Sequence, residues 1–177
     1  MRPSTLVSGL VLLAAPVALA SDDNALVADA RATVQMFKKK DANIEKFFGS
    51  SSGYVVFPTI AKGGFVVGGA GGDGILFVGG QAVGRSSLGQ ASVGLQLGGQ
   101  TFSEIIFFEN AATLNEFKNG NFALAAQASA VALSAGAAAS ANYENGVAIF
   151  TATKTGLMYE ASVGGQKFGF KPFGAKK

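Results

Sequence analysis

The sequence predicts an α+β domain, an N-terminal helical element packed on an antiparallel, curved, glycine-rich β-sheet or partial barrel. Three observations carry that reading. Apolar residues first recur at helical spacing, at Leu26, Ala30, Val34 and Phe37. From Tyr54 onward, short β-branched and aromatic runs alternate with glycines, the pattern of strands and their turns. Fourteen of the 25 glycines fall between Gly63 and Gly99, where they permit bulges, tight bends and close strand approach.

The chain begins with a segment that is not part of that fold. Arg2 precedes an apolar run over residues 10–19, closed by Ala18-Leu19-Ala20 with small residues at the minus-three and minus-one positions. This is the pattern of a secretory signal peptide over residues 1–20, too short to span a bilayer. Cleavage near Ala20 makes the mature chain periplasmic or secreted, with attachment to the outer membrane at most peripheral. Residues 21–165 are then one domain, large enough for a core without disulfides, and the chain has no cysteine. Residues 166–177 read as a loose glycine- and lysine-rich tail.

Each element has a local signal. Asp22, Asp23 and Asn24 supply cap candidates and first-turn acid for the first helix, and Lys38-Lys39-Lys40 close it where cations suit its dipole. Asp41 caps a second, short helix carrying Ile44, Phe47 and Phe48. Residues 54–58, 65–67 and 75–78 are strands. Residues 91–98 alternate apolar with small or polar, the period of a half-buried strand. Residues 102–108 are apolar enough to be buried on both faces, and residues 110–118 form a short helix with Leu114 and Phe117 inward. Over residues 122–141 alanine favours helix, yet the alternation of Phe122, Leu124 and Ala126, with no charged helical face, tips the reading to strand. Residues 147–153 and 157–163 flank Lys154-Thr155-Gly156 as a hairpin.

Two motifs mimic chemistry they do not support. Gly69 to Gly74 spells G-x-G-x-x-G, but a dinucleotide site needs a helix immediately after it. The next residues here are Ile75-Leu76-Phe77-Val78, a second strand, so the stretch reads as a hairpin with Asp73-Gly74 at or near its turn. Lys154-Thr155-Gly156 matches the K-T-G of penicillin-binding enzymes, but no serine has lysine three residues later. Histidine is absent, which excludes a Ser-His-Asp triad and histidine-based metal sites; thiol chemistry falls with cysteine. Among the carboxylates Asp73, Glu104, Glu109, Glu116, Glu144 and Glu160, only Glu104 sits inside an apolar run, as a paired or rim group. No catalytic residue and no cofactor is expected. The formal charge of +3, without tryptophan or a basic–aromatic motif, gives no sign of a nucleic-acid partner. The densest basic cluster is Lys38, Lys39, Lys40 and Lys46, joined by Lys62. Beside phenylalanines 37, 47 and 48 it can form a rim for anionic headgroups, each lysine contributing about 1 kcal/mol at such a surface.

The stretches "GYVVFPTIAKGGFVVGGAGGDGILF", "ASVGLQLGGQTFSEIIFFEN" and "VAIFTATKTGLMYEASVGG" closely resemble the SYLF domain family. The most specific parts are K-x-G-F-x-x-G-G-x-G-G-x-G, here Lys62 to Gly74, and G-L-Q-L-G-x-Q, here Gly94 to Gln100. The resemblance covers about residues 47–165. One stretch departs from it: Gly84-Arg85-Ser86-Ser87-Leu88-Gly89 stands where many members carry tryptophan and proline. The resemblance implies binding of anionic phospholipid through the N-terminal helical part and its basic residues, here Lys38, Lys39, Lys40, Lys46 and Lys62. Actin association, known for eukaryotic endocytic members, does not carry over to an exported chain. The expected function is therefore non-enzymatic phospholipid binding at the bacterial cell envelope, with a membrane surface as partner and no nucleotide. The alternatives are a small outer-membrane β-barrel and a self-assembling envelope protein.

Overall fold

The computed structural model describes residues 19–64, 67–93, 100–125, 128–153 and 161–174. The first 18 residues, expected to belong to a signal peptide, Phe65-Val66, the Gly94–Gly99 part of the G-L-Q-L-G motif, the Lys154-Thr155-Gly156 stretch expected as a turn and the last three residues lie outside the described residues. The chain runs α1 (Ser21–Lys40), a 3-10 turn (Ala42–Ile44), α2 (Glu45–Ser50), β1 (Gly53–Gly64), β2 (Val67–Val78), β3 (Gln81–Val93), β4 (Gln100–Phe108), α3 (Ala111–Lys118), β5 (Ser129–Ala132), a second 3-10 turn (Ala137–Ala139), β6 (Val147–Thr153), β7 (Ala161–Ser162) and β8 (Lys167–Pro172). The strands form one open sheet in the order β7-β5-β6-β4-β1-β2-β3-β8. Every pairing is antiparallel except β5 with β6. The α+β architecture expected from the sequence is therefore present, with one parallel pair in its sheet.

Helix α1 buries Ala30, Thr33, Val34 and Phe37, the i, i+3, i+4, i+7 stripe of an amphipathic helix. Its N-cap is Ala20 without a side-chain hydrogen bond, so Asp22 and Asp23 act as first-turn charge, not as caps. The stripe packs with Ile44 and Phe47 on one face of the sheet, against Val56, Ile75, Phe77, Ile105, Phe107 and Phe150. Phe47 is the hub there, 4.9 Å from the Phe150 ring and 5.5 Å from Phe107. The other face holds Val55, Phe57, Ile106 and Phe108 of β1 and β4, closed by Leu114 and Phe117 of α3 and by Phe122 and Phe168. With helices on both faces and its end strands β7 and β8 not paired with each other among the described residues, the sheet is open, unlike the closed, lipid-facing wall of an outer-membrane barrel.

The sheet is strongly curved. Phe57 on β1 and Phe168 on β8 lie three strand spacings apart, roughly 14 Å on a flat sheet. Their ring centroids are 5.9 Å apart, so the sheet curls around its α3 face. Register shifts after Val56, Phe57 and Leu76 supply local twist.

The glycine stretch contributes differently from the expectation. Gly69 to Gly74 is not a turn but the interior of β2, and Asp73 pairs with Ser87 of β3. The turn lies at Gly79-Gly80, whose φ values of +57° and +76° suit the two central positions of a tight hairpin between Val78 and Gln81. Glycine is required at position 74 by crowding. A Cβ there would sit 2.5 Å from the Val56 carbonyl oxygen and 2.6 Å from the Phe57 ring. Gly74→Ala is expected to cost about 2 kcal/mol by overpacking. Gly63→Ala, whose added carbon meets nothing within 4 Å, is expected to be nearly neutral. Urea unfolding of the two variants checks the contrast; equal stabilities would contradict the close β1–β2 approach.

Three further expectations change. Residues 122–141 form neither one helix nor one strand: they hold the bridge of Ala123 to Lys167, the short β5 and a 3-10 turn. Of the expected hairpin, residues 154–160 lie outside the described residues, and Ala161–Ser162 pair with β5, which stands between them and β6. Lys167–Pro172 is not a loose tail but β8, paired along β3 from Gly84 to Gly89 with Phe168 buried. Alternation explains it: Phe168 and Phe170 point to one side across Gly169, and both join the core around α3.

Candidate functional site

The five lysines singled out from the sequence do not form one cluster. Lys38, Lys39 and Lys40 end α1, and Lys46 is one turn beyond on α2. Lys38 is half-buried, bonded to Glu45 at 2.8 Å, with its ammonium 4.5 Å from the Phe48 ring centroid. Phe48 in turn lies 4.9 Å from Tyr54, near the start of β1. Lys62 lies near the far end of the same strand, roughly 26 Å from Tyr54 at about 3.3 Å per residue. Lys62 is thus separated from the other four. Lys39 and Lys40 are exposed and, among the described residues, have no carboxylate partner.

This basic helix end is fastened to a distant part of the chain. Asp41, the cap of the first 3-10 turn, accepts from the Asn43 amide at 3.0 Å and from the backbone N–H of Ala138 at 2.7 Å. The Ala138 bond chiefly holds the Asp41 carboxyl below the ordinary aspartate range. Its stabilisation is present above that ordinary range and is lost as pH falls through the lowered value. Lys46 donates to the carbonyls of Ala139 (3.0 Å) and Ala141 (2.9 Å). Both contacts grip the alanine-rich segment from the side of α1 and α2.

That segment walls a cavity of about 610 Å³ between itself, residues 122–130 and the start of β6. The space arises from two local facts. β5 pairs with β6 only at Phe150 and Thr151, which leaves no strand beside Val147, Ala148 and Ile149 on that side among the described residues. Seven of the sixteen lining residues are alanine, whose methyl groups are too small to fill the gap. Leu124, Val131 and Ile149 line it as larger apolar groups, and Asn142, Glu144 and Asn145 supply polar ones. Asn145 (φ +52°) and Gly146 (φ +81°) make the tight turn from Glu144 to Val147 at this edge. The Asn-Gly pair is visible in the sequence as a hairpin signal, but nothing local announces a cavity behind it.

Glu104 is neither paired with a cation nor at a rim. It is fully buried on β4, opposite Thr151 of β6, and accepts one bond from the Gln166 side-chain amide at 3.2 Å. Loss of hydration pushes its carboxyl up to about 8, so it is neutral at pH 7. Glu104 Oε1, Gln166 Oε1 and Thr151 Oγ1 have no partner among the described residues. None of the three lines the cavity.

The fold and its site define an α+β domain that offers a basic helix end joined to an amphiphilic cavity. Residues 89–171 match the model of the family Ysc84, described as Las17-binding protein actin regulator. These residues, a little under half of the chain, match the same SYLF family that the sequence resembles, a family associated with lipid- or actin-related binding. The match reaches Lys171 and so includes β8 within the domain. No curated protein matches the chain.

Proposed function

We propose that this chain is a non-enzymatic binder of anionic phospholipid at the bacterial cell envelope, reached by export and removal of residues 1–20. The observation that carries the proposal is the end of α1. Lys39 and Lys40 are exposed without a carboxylate partner among the described residues, and the exposed Lys46 beyond them is held by two backbone carbonyls and lies 4.9 Å from the Phe47 ring centroid. Cations at a helix C-terminus offset its dipole, but that role does not require two exposed ammonium groups, Lys39 and Lys40, with no carboxylate partner among the described residues. An anionic surface supplies the missing counter-charge. The likeness of residues 89–171 to a family associated with lipid- or actin-related binding supports a lipid-related reading. Binding without bond-making fits a chain lacking histidine and cysteine, in which the strongly perturbed Glu104 is buried and does not line the cavity.

Each lysine near an anionic bilayer contributes about 1 kcal/mol, so Lys39→Glu with Lys40→Glu is expected to weaken vesicle binding about thirtyfold or more. Both side chains are exposed, so thermal unfolding should be nearly unchanged. Lys62→Glu, far along β1, serves as the control and is expected to have a much smaller effect. Co-sedimentation with phosphatidylglycerol vesicles measures all three. Equal losses for the helix-end pair and for Lys62 would reject the assignment of the site to α1.

A further inference from the structure

The cavity behind the alanine-rich segment has no part in a purely electrostatic contact, yet the structure ties it to the basic helix end. Asp41 and Lys46 fasten residues 138–141 directly to the α1–α2 junction. We infer that this cavity is the binding site for one acyl chain of an anionic phospholipid, with Lys46 beside its phosphate. The inference rests on the lipid-binding reading and adds where the apolar part of the ligand goes.

Size admits an acyl chain. A methylene fills about the volume of a water molecule, roughly 30 Å³, so a chain of about sixteen carbons needs roughly 480 Å³. The cavity of about 610 Å³ is large enough for one such chain. Its lining has the polarity of the ligand. Alanines 128, 130 and 148 with Ile149 offer apolar contact, and Asn142 and Asn145 offer hydrogen bonds. Positive charge adjoins the wall at Ala141, where Lys46 bonds the carbonyl, and Glu144 stands elsewhere in the lining. An ammonium has three donors, and Lys46 gives two of them to the Ala139 and Ala141 carbonyls. The third, on an ammonium that also lies 4.9 Å from the Phe47 ring centroid, can turn to a phosphate oxygen, and Lys46 has no salt-bridge carboxylate among the described residues.

The test uses palmitoyl lysophosphatidylglycerol below its micelle concentration, with binding read by native mass spectrometry and titration calorimetry. The mature protein is expected to take up one copy, and sn-glycerol 3-phosphate, the headgroup without the chain, is expected not to displace it. Ala130→Phe fills the cavity and is expected to lower this affinity about tenfold or more, while vesicle pelleting through Lys39 and Lys40 stays within about threefold. Ala125→Phe, at an exposed lining position, serves in its place if Ala130→Phe does not fold. Unchanged lysolipid affinity in a folded cavity variant overturns the acyl-chain site and leaves the surface reading standing. The same holds if the wild-type protein pellets with vesicles but takes up no lysolipid. Absence of vesicle pelleting by the wild-type protein would instead overturn the lipid reading itself.

Discussion

Glu104→Gln is expected to make the protein more stable at pH 8 by several kcal/mol while changing it little at pH 5. The reason is the proton that Glu104 keeps when the chain folds. Burial raises its carboxyl to about 8, against an ordinary value of 4.5. Between those values the unfolded chain releases the proton and the folded chain holds it. Stability from this group is therefore complete below about pH 4.5 and declines as pH rises toward 8. Across that span of about 3.5 pH units, each worth about 1.4 kcal/mol, the decline approaches 4–5 kcal/mol. Glutamine has the same shape, stays neutral and can still accept from Gln166. Its amide also adds donors where Thr151 Oγ1 and Gln166 Oε1 have no partner among the described residues. Urea unfolding of both proteins at several pH values between 5 and 9 measures the difference. Parallel profiles would mean that Glu104 ionises in the ordinary acid range and is not sealed in the core.

Phe117→Ala is expected to cost about 3–5 kcal/mol, among the largest losses from a single side chain in this domain. Phe117 is fully buried on α3, with ring centroids 4.9 Å from Phe108, 5.5 Å from Phe168 and 6.0 Å from Phe122. It joins the centre of the sheet (β4), its last strand (β8) and the segment leading to the cavity. Removing it opens a void that three other rings line. Phe117→Leu, which keeps most of the volume, is expected to cost about 1–2 kcal/mol. Chemical denaturation of the pair checks the ordering. A loss below about 1 kcal/mol for the alanine variant would contradict the role of α3 as the plug of the curved sheet.

The parts of this fold that are local are readable in the sequence. Leu26, Ala30, Val34 and Phe37 announce α1 by spacing, and residues 102–108 announce a strand buried on both faces. Asn110 accepts from the Thr113 amide as the cap of α3, where a short helix is expected. The misreadings have a common cause in long-range packing. Gly72 and Gly74 resemble a turn because a turn is the usual local use of glycine; their use here is to let Thr59, Val56 and Phe57 of β1 come close. The composition of residues 166–177 suggests a loose end, yet Phe168 and Phe170 find partners on α3 more than 50 positions earlier. Lys38, Lys46 and Lys62 look equivalent in sequence. Folding pairs the first with Glu45, gives the second two carbonyls and carries the third to the far end of β1. The cavity is the least visible of all, because its walls come from residues 122–149 and its fastening from Asp41 and Lys46.

The most direct test of the central claim is co-sedimentation of the mature protein with vesicles of pure phosphatidylcholine and of phosphatidylcholine mixed with phosphatidylglycerol, at low and high salt. Binding to the anionic vesicles that weakens as salt rises, with little pelleting on neutral ones, is the expected result. Equal pelleting on both vesicle types, or none on either, would contradict a protein that meets anionic lipid through the end of its first helix.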